Sequence, residues 1–178
     1  MAGRAPRRTP GQSQRDAERP RKFAVVAGRF NEPISKKLLD GALAALSGSG
    51  VARDVVDVHW VPGSFELPQA ARALALTGRY AAIVCVGVVV KGATPHFEYV
   101  SGAAAHGITN AALSTGVPMS FGVVTALTEE QAWDRAGGAV ANRGEEAALA
   151  AVEMAEFMCV TRAIPRERAR PRASGRRR

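Results

Sequence analysis

The stretch Ala81–Val90, AAIVCVGVVV, running into Lys91-Gly92-Ala93-Thr94-Pro95-His96, decides the fold class. Its residues are nearly all β-formers, with no polar alternation and so no solvent face. A strand of that composition is covered on both sides, as central strands of parallel sheets are. Lys91 ends the run well short of membrane-spanning length. Gly92 permits close backbone approach, Thr94 suits an N-cap, and Pro95 suits the first helical position. A buried strand feeding directly into a helix start is half of a βα unit.

Working outward, the same alternation recurs. Phe23–Gly28 (FAVVAG) predicts a buried strand, and Arg29–Glu32 a loop. Pro33 then opens a helix with Leu38, Leu39, Ala42, Leu43 and Leu46 at helical spacing, stopped by Gly48 and Gly50. Val55, Val56, Val58 and Trp60 predict a strand from about Arg53, and Glu66–Leu76 a helix with Pro68 in its first turn. The helix after Thr94 reaches Thr115 with Phe97, Val100, Ala104 and Ile108 facing the core. Pro118–Thr125 predicts a fourth strand. Thr128 and Gln131 have capping-box spacing for a short helix to Arg135, broken at Gly137-Gly138. A last helix is expected over Asn142–Thr161, with Ala148, Val152, Ala155 and Cys159 on one face. Strands separated by helices imply an α/β three-layer sandwich on a four-stranded parallel sheet. Functional residues are then expected past the carboxyl ends of the strands.

The bulk numbers set limits on function. The 178 residues carry a formal charge of +8. Residues 1–22 hold seven basic side chains against two acids, and residues 162–178 hold eight arginines against Glu167, leaving 23–161 at −4. The basicity therefore sits in two flanking arms, expected to be disordered, around one mildly acidic domain over 23–161. Composition favours solvated tails for the arms; the alternative is that they bind nucleic acid or another anionic cargo, a role the acidic domain itself does not suit. Cys85 and Cys159 have no CxxC companion, so two buried free thiols are expected. The basic N-terminus lacks an apolar h-region, and Asp16, Glu18 and three prolines weaken a transit-peptide reading. His59, His96 and His106 lack metal-ligand spacing, so no metal is expected.

Three segments carry candidate chemistry. Gly92–Thr94 at a helix start offers free amides and a hydroxyl to an anion, though neither a P-loop nor a dinucleotide fingerprint is present. His96 beside it is either a proton shuttle or an exposed, locally bonded side chain. Pro62-Gly63-Ser64-Phe65-Glu66 follows a strand; Glu66 faces a polyol or urea-like donor, or caps its helix. It is not a GxSxG elbow. Arg29-Phe30-Asn31 suits a stacked planar ring with a polar handle. Phe121 is either core or the far wall of such a pocket. Arg135 and Arg143, flanking Gly137-Gly138, are solvated charges or donors to a phosphate or ring carbonyl.

Taken together, Gly28–Asn31, Val61–Pro68, Gly87–Val100, Gly116–Pro118, Phe121–Thr125, Arg135–Gly137 and Asn142–Gly144 resemble the lumazine synthase family in order and spacing. The resemblance covers about Phe23–Met158. It implies flavodoxin-like strand order 2-1-3-4. It also implies condensation of 5-amino-6-(D-ribitylamino)uracil with 3,4-dihydroxy-2-butanone 4-phosphate to 6,7-dimethyl-8-ribityllumazine, with loss of phosphate and water. No metal or organic cofactor is implied. His96 becomes the proton-transfer residue. Phe30, Asn31, Ser64, Phe65, Glu66, Val89, Val90, Phe121 and Arg143 become the ring and ribityl contacts. Gly92, Ala93, Thr94 and Arg135 become the phosphate site. Phe121, Arg135 and Arg143 are expected from the neighbouring subunit.

Lys91, Arg143 and Val88 depart from residues common at their positions, and none removes an expected catalytic group. The family implies a cytoplasmic homo-oligomer of pentamers. The short Arg135–Gly144 connection favours a 60-mer over a free pentamer or decamer, while the absence of a lysine in Gly137–Asn142 leaves the pentamer open. Two other readings compete: a flavin- or lumazine-binding protein without catalysis, and a structural shell with nucleic-acid affinity through its arms.

Overall fold

The computed structural model describes residues 22–163. The expected arms lie outside the described residues, except that Lys22 opens the first strand and Arg162 and Ala163 close the last helix. The elements are β1 (Lys22–Gly28), α1 (Glu32–Gly48), β2 (Val56–Val61), α2 (Leu67–Leu76), β3 (Tyr80–Val90), α3 (His96–Thr115), β4 (Met119–Ala126), α4 (Glu129–Asp134) and α5 (Arg143–Ala163). The strands form one sheet in the order β2-β1-β3-β4, every pair parallel. This is the expected three-layer α/β architecture.

The uninterrupted apolar run of β3 explains its central place. Ala82–Val86 are fully buried, because both faces of the strand are covered. On one face Val25, Ala27, Val84 and Val86 pack with Ile34 and Leu38 of α1 and Ala147, Ala148 and Ala151 of α5. On the other, Ala24, Val26, Ile83 and Cys85 pack with Leu67 and Ala71 of α2 and Ile108 of α3. Each fully buried Val, Leu or Ile contributes roughly 1.5–3 kcal/mol. The small residues on α2 and α5 bring these helices close to the sheet. Burial raises the Cys85 thiol to about 12, so it stays protonated and inert.

At the amino ends of the strands a polar cluster closes the core. The Lys22 ammonium meets Asp57 Oδ1 at 2.8 Å, and the Tyr80 hydroxyl donates to Asp57 Oδ2 at 2.8 Å. Arg79 Nη2 donates to the Tyr80 oxygen at 3.0 Å. The Lys22 and Tyr80 hydrogen bonds hold the Asp57 carboxyl below its ordinary value. Burial, then the bond to Asp57, raises Tyr80.

Several local expectations need correction. Thr94 does not cap α3: the helix begins at His96, and Pro95 occupies the capping position without a side-chain bond. The amide of Glu98 bonds the Pro95 carbonyl at 3.0 Å, so the first turn starts one residue later than Thr94 would place it. Arg53–Val55 is a 3₁₀ turn, not strand; Arg53 Nη1 folds back onto the Val56 carbonyl at 2.9 Å. Asn142 precedes the last helix. Its Oδ1 accepts from the amides of Gly144 at 2.9 Å and Glu145 at 3.2 Å, which caps α5. Cys159 is exposed, not buried, because the buried stripe of α5 ends at Ala151. The Thr128 cap is as expected, its hydroxyl accepting from the Gln131 amide at 3.2 Å.

Candidate functional site

Where β1, β2 and β3 end, three strand-to-helix connections surround a cavity of about 510 Å³. Phe30 comes from the first, Pro62–Glu66 from the second, and Gly92, Thr94 and His96 from the third. Val88, Val89 and Val90 form its sheet wall, and Phe97 and Val100 of α3 its helix wall. Location beyond the carboxyl ends of parallel strands follows from the fold: each strand there hands over to a helix, whose first turn has amides without intrahelical partners.

The backbone is tied together at the first two connections. The Arg29 amide bonds the Val61 carbonyl at 2.8 Å, and the Phe30 amide bonds the Pro62 carbonyl at 3.0 Å. Gly28 eases this contact, since a Cβ there would lie 3.1 Å from the Gly63 carbonyl carbon, closer than an ordinary contact. The tie leaves the Phe30 ring 72% exposed at the cavity mouth, free to receive a planar ligand. Phe65 is also exposed.

Glu66 holds the second connection from within: Oε2 accepts from the Gly63 amide at 2.9 Å. That is a turn-stabilising role, and Glu66 also lines the cavity with one carboxylate oxygen outside that bond. Ser64 is buried against β3, its hydroxyl directed at the Val88 carbonyl at a long 3.5 Å.

The third connection is open. Gly92, Ala93, Thr94, Pro95 and His96 are all exposed, and nothing lies within 4 Å of the Cβ position of Gly92. The twenty-residue helix α3 begins at His96, directly after this connection. The partial positive charge of this helix start favours a phosphate there. His96, in the first turn, is within the same opening as Gly92 and Thr94.

Five of the sequence-predicted residues do not line this cavity. Ala93 belongs to the third connection but not to the wall. Asn31 takes the left-handed conformation, φ 59°, and its carbonyl accepts from the Ile34 and Ser35 amides at 3.0 Å, turning the chain into α1. Phe121 and Arg143 line a second cavity of about 450 Å³ between β4 and α5, which shares no residue with the first. Arg143 is paired there with Glu146. Arg135 follows α4, and its Nη1 donates to the Gln131 carbonyl at 3.0 Å. Arg135 and Arg143 are nonetheless neighbours: the Arg143 amide bonds the Arg135 carbonyl at 2.9 Å, and Ala136 bridges Asn142. Pro62, Gly63, Val88, Phe97 and Val100 line the first cavity without having been singled out as contacts. Their place in quoted motifs was a signal, but a wall residue with no polar group offers no chemistry to read.

A family model described as 6,7-dimethyl-8-ribityllumazine synthase matches residues 20–159. The 6,7-dimethyl-8-ribityllumazine synthase of Syntrophus aciditrophicus (strain SB) is 50% identical over 137 residues, which are 77% of this chain and 89% of that protein.

Proposed function

The chain belongs to the 6,7-dimethyl-8-ribityllumazine synthase family, and we infer that it carries out the family reaction in the cavity at the ends of β1, β2 and β3. It is an enzyme of riboflavin biosynthesis. It condenses 5-amino-6-(D-ribitylamino)uracil with 3,4-dihydroxy-2-butanone 4-phosphate to 6,7-dimethyl-8-ribityllumazine. The observation that supports this site most is the convergence of an exposed aromatic ring, a carboxylate-braced turn and an anion-ready helix start on one opening.

In this reading the pyrimidine stacks on Phe30. The ribityl hydroxyls meet the Ser64–Glu66 turn, and Val89 and Val90 back the ring. The phosphate of the second substrate sits at Gly92–Thr94, where the dipole of α3 holds its charge. The 5-amino nitrogen then attacks the ketone, and loss of water leaves an imine. Removal of a proton from the adjacent carbon expels the phosphate, ring closure by the ribityl-bearing nitrogen follows, and a second water departs. His96 moves protons at the nitrogen and carbinol oxygen, within reach of the helix start that holds the leaving phosphate. Holding the two reactive substrates together supplies much of the rate.

Phe121, Arg135 and Arg143 come to this site from an adjacent copy of the chain. Their separation from the first cavity within one chain, and the 44% exposure of Phe121, support that reading. The family resemblance makes the assembly one of pentamers, and the short Arg135–Gly144 connection favours closure into a 60-mer; a sizing column separates it from the free pentamer and decamer. A cytoplasmic location fits these substrates, and among the described residues no helix is long and apolar enough to cross a membrane.

The test is to mix the two purified substrates with the protein and follow the product's absorbance or fluorescence. Turnover above the spontaneous rate is expected, and none would refute the reading. His96→Ala lowers turnover towards the low end of the roughly 10²–10⁴ typical of acid–base catalysis without abolishing it.

A further inference from the structure

Arg135 follows the shortest α-helix among the described residues. α4 spans only Glu129–Asp134, too few residues for helix propensity to hold it, since isolated helices shorter than about 12–15 residues are marginal in water. Its start defines it instead. The Gln131 amide donates to the Thr128 hydroxyl at 3.2 Å, and Gln131 Oε1 accepts from the Leu127 amide at 3.0 Å. This is a capping box whose side chain reaches one residue further back than usual. Both bonds run to the residues that directly follow β4, whose last residue, Ala126, accepts from the Lys91 amide at 2.9 Å. Ala132, next to Gln131, is fully buried in the core.

The far end of α4 turns the Gln131 carbonyl to a second use. The Arg135 amide bonds the Ala132 carbonyl at 3.2 Å, three residues back rather than four. The Gln131 carbonyl receives Arg135 Nη1 at 3.0 Å in its place. The Arg135 main chain is fixed as well, its carbonyl accepting from the Arg143 amide at 2.9 Å. The Arg135 side chain is half-buried, and among the described residues it has no carboxylate partner. Its charge is not neutralised by an ion pair there, and the other guanidinium donors remain for a ligand.

We propose that Gln131, itself set by Thr128, is the positioning residue for Arg135: its carbonyl holds the guanidinium in one orientation, so that the remaining donors meet the substrate's phosphate. The proposal rests on the assignment of Arg135 to the phosphate of the adjacent copy's site. Freezing a long side chain at the moment of binding costs affinity. A guanidinium anchored beforehand loses less, and its planar fork meets two phosphate oxygens together. Gln131 acts through Arg135, so its loss affects one substrate, and only while Arg135 is present.

The carbonyl survives any substitution, so the experiment loosens its mount. KM for each substrate is measured above the spontaneous rate in full-length Gln131→Ala, Thr128→Ala, Thr128→Ser, Arg135→Ala and Gln131→Ala/Arg135→Ala chains. Arg135→Ala is expected to raise KM for 3,4-dihydroxy-2-butanone 4-phosphate about ten- to a hundredfold. Gln131→Ala and Thr128→Ala are expected to raise the same KM about two- to tenfold, leaving KM for the pyrimidine unchanged, and Thr128→Ser to keep the parental value. A smaller folded fraction lowers apparent kcat and leaves KM alone, so simple destabilisation of α4 does not imitate this pattern. In the Arg135→Ala background Gln131→Ala is expected to add nothing. The proposal is overturned if Gln131→Ala and Thr128→Ala keep the parental KM while Arg135→Ala raises it. It is equally overturned if they raise both KM values alike, or if Gln131→Ala keeps its effect without Arg135. A parental KM in Arg135→Ala overturns the phosphate assignment of Arg135 and the proposal with it.

Discussion

Replacing Gly87 by alanine probes how β3 positions the substrate turn. Gly87 lies inside β3, three residues before its end, with the Ser64 side chain against it. An added Cβ would stand 2.6 Å from Ser64 Oγ, 3.3 Å from Leu67 Cδ1 and 3.6 Å from Ser64 Cβ. The first contact is impossible, and Ser64, 4% exposed, has little room to turn away. Overpacking of this kind costs about 1–3 kcal/mol. Ser64→Ala alone removes only the long bond to the Val88 carbonyl, so its cost lies near the low end of about 0.5–1.5 kcal/mol.

In the double variant Gly87→Ala/Ser64→Ala the 2.6 Å clash is gone and the nearest Ser64 atom is at ordinary contact distance. Its cost therefore falls below the sum of the single changes by about 1–2 kcal/mol. Urea unfolding at one fixed protein concentration measures all four corners of the cycle. Gly87→Ala also displaces the Gly63–Glu66 turn, so KM for the ribityl substrate rises more than kcat falls. An additive cycle, or a Gly87→Ala chain as stable as the parent, would refute the packing described for this wall.

Two further predictions concern stability. Asn142→Ala loses the α5 cap and two outgoing bonds, from Nδ2 to the Lys37 carbonyl at 3.1 Å and the Ala136 carbonyl at 3.4 Å; it is expected to lose about 1–2 kcal/mol in urea unfolding. Asp57 has a lowered folded value, so its contribution is fully present above the ordinary 3.8 and disappears as pH falls through the lower folded value. The stability gap between parent and Asp57→Asn is therefore expected to be constant near neutrality and to close in acid. A gap that widened in acid would contradict the pairing with Lys22 and Tyr80.

The sheet was legible because its signal is redundant: every residue of Ala82–Val86 is apolar, and burial on both faces demands that. Strand order came with the family resemblance; periodicity alone does not encode which strands are neighbours. What stayed illegible were features set by single hydrogen bonds. Thr94-Pro95 has the composition of a cap and first turn, yet the Glu98-to-Pro95 bond starts the helix at His96. Asn142 looked like the first helical residue and is instead the cap, with its amide nitrogen reaching across to α1. Cys159 sits at helical spacing from Ala148, but the buried stripe of α5 stops at Ala151, so spacing did not predict burial. At the site, Phe30, Ser64, Phe65, Glu66, Gly92, Thr94 and His96 were named from sequence and meet in one cavity. Asn31 was read for its amide, whereas its left-handed backbone turns the chain into α1.

The central claim is that the Gly92–His96 opening is the catalytic site and that a neighbouring copy completes it. Co-expressing His96→Ala with Arg135→Ala chains and assaying the purified mixed assembly tests it directly. If the two residues act from different copies, sites with both intact form in about a quarter of cases under random mixing in a symmetric ring. Product formation then exceeds the mean of the two homogeneous variants. Activity no higher than that mean would place His96 and Arg135 in the same copy's site and contradict the account.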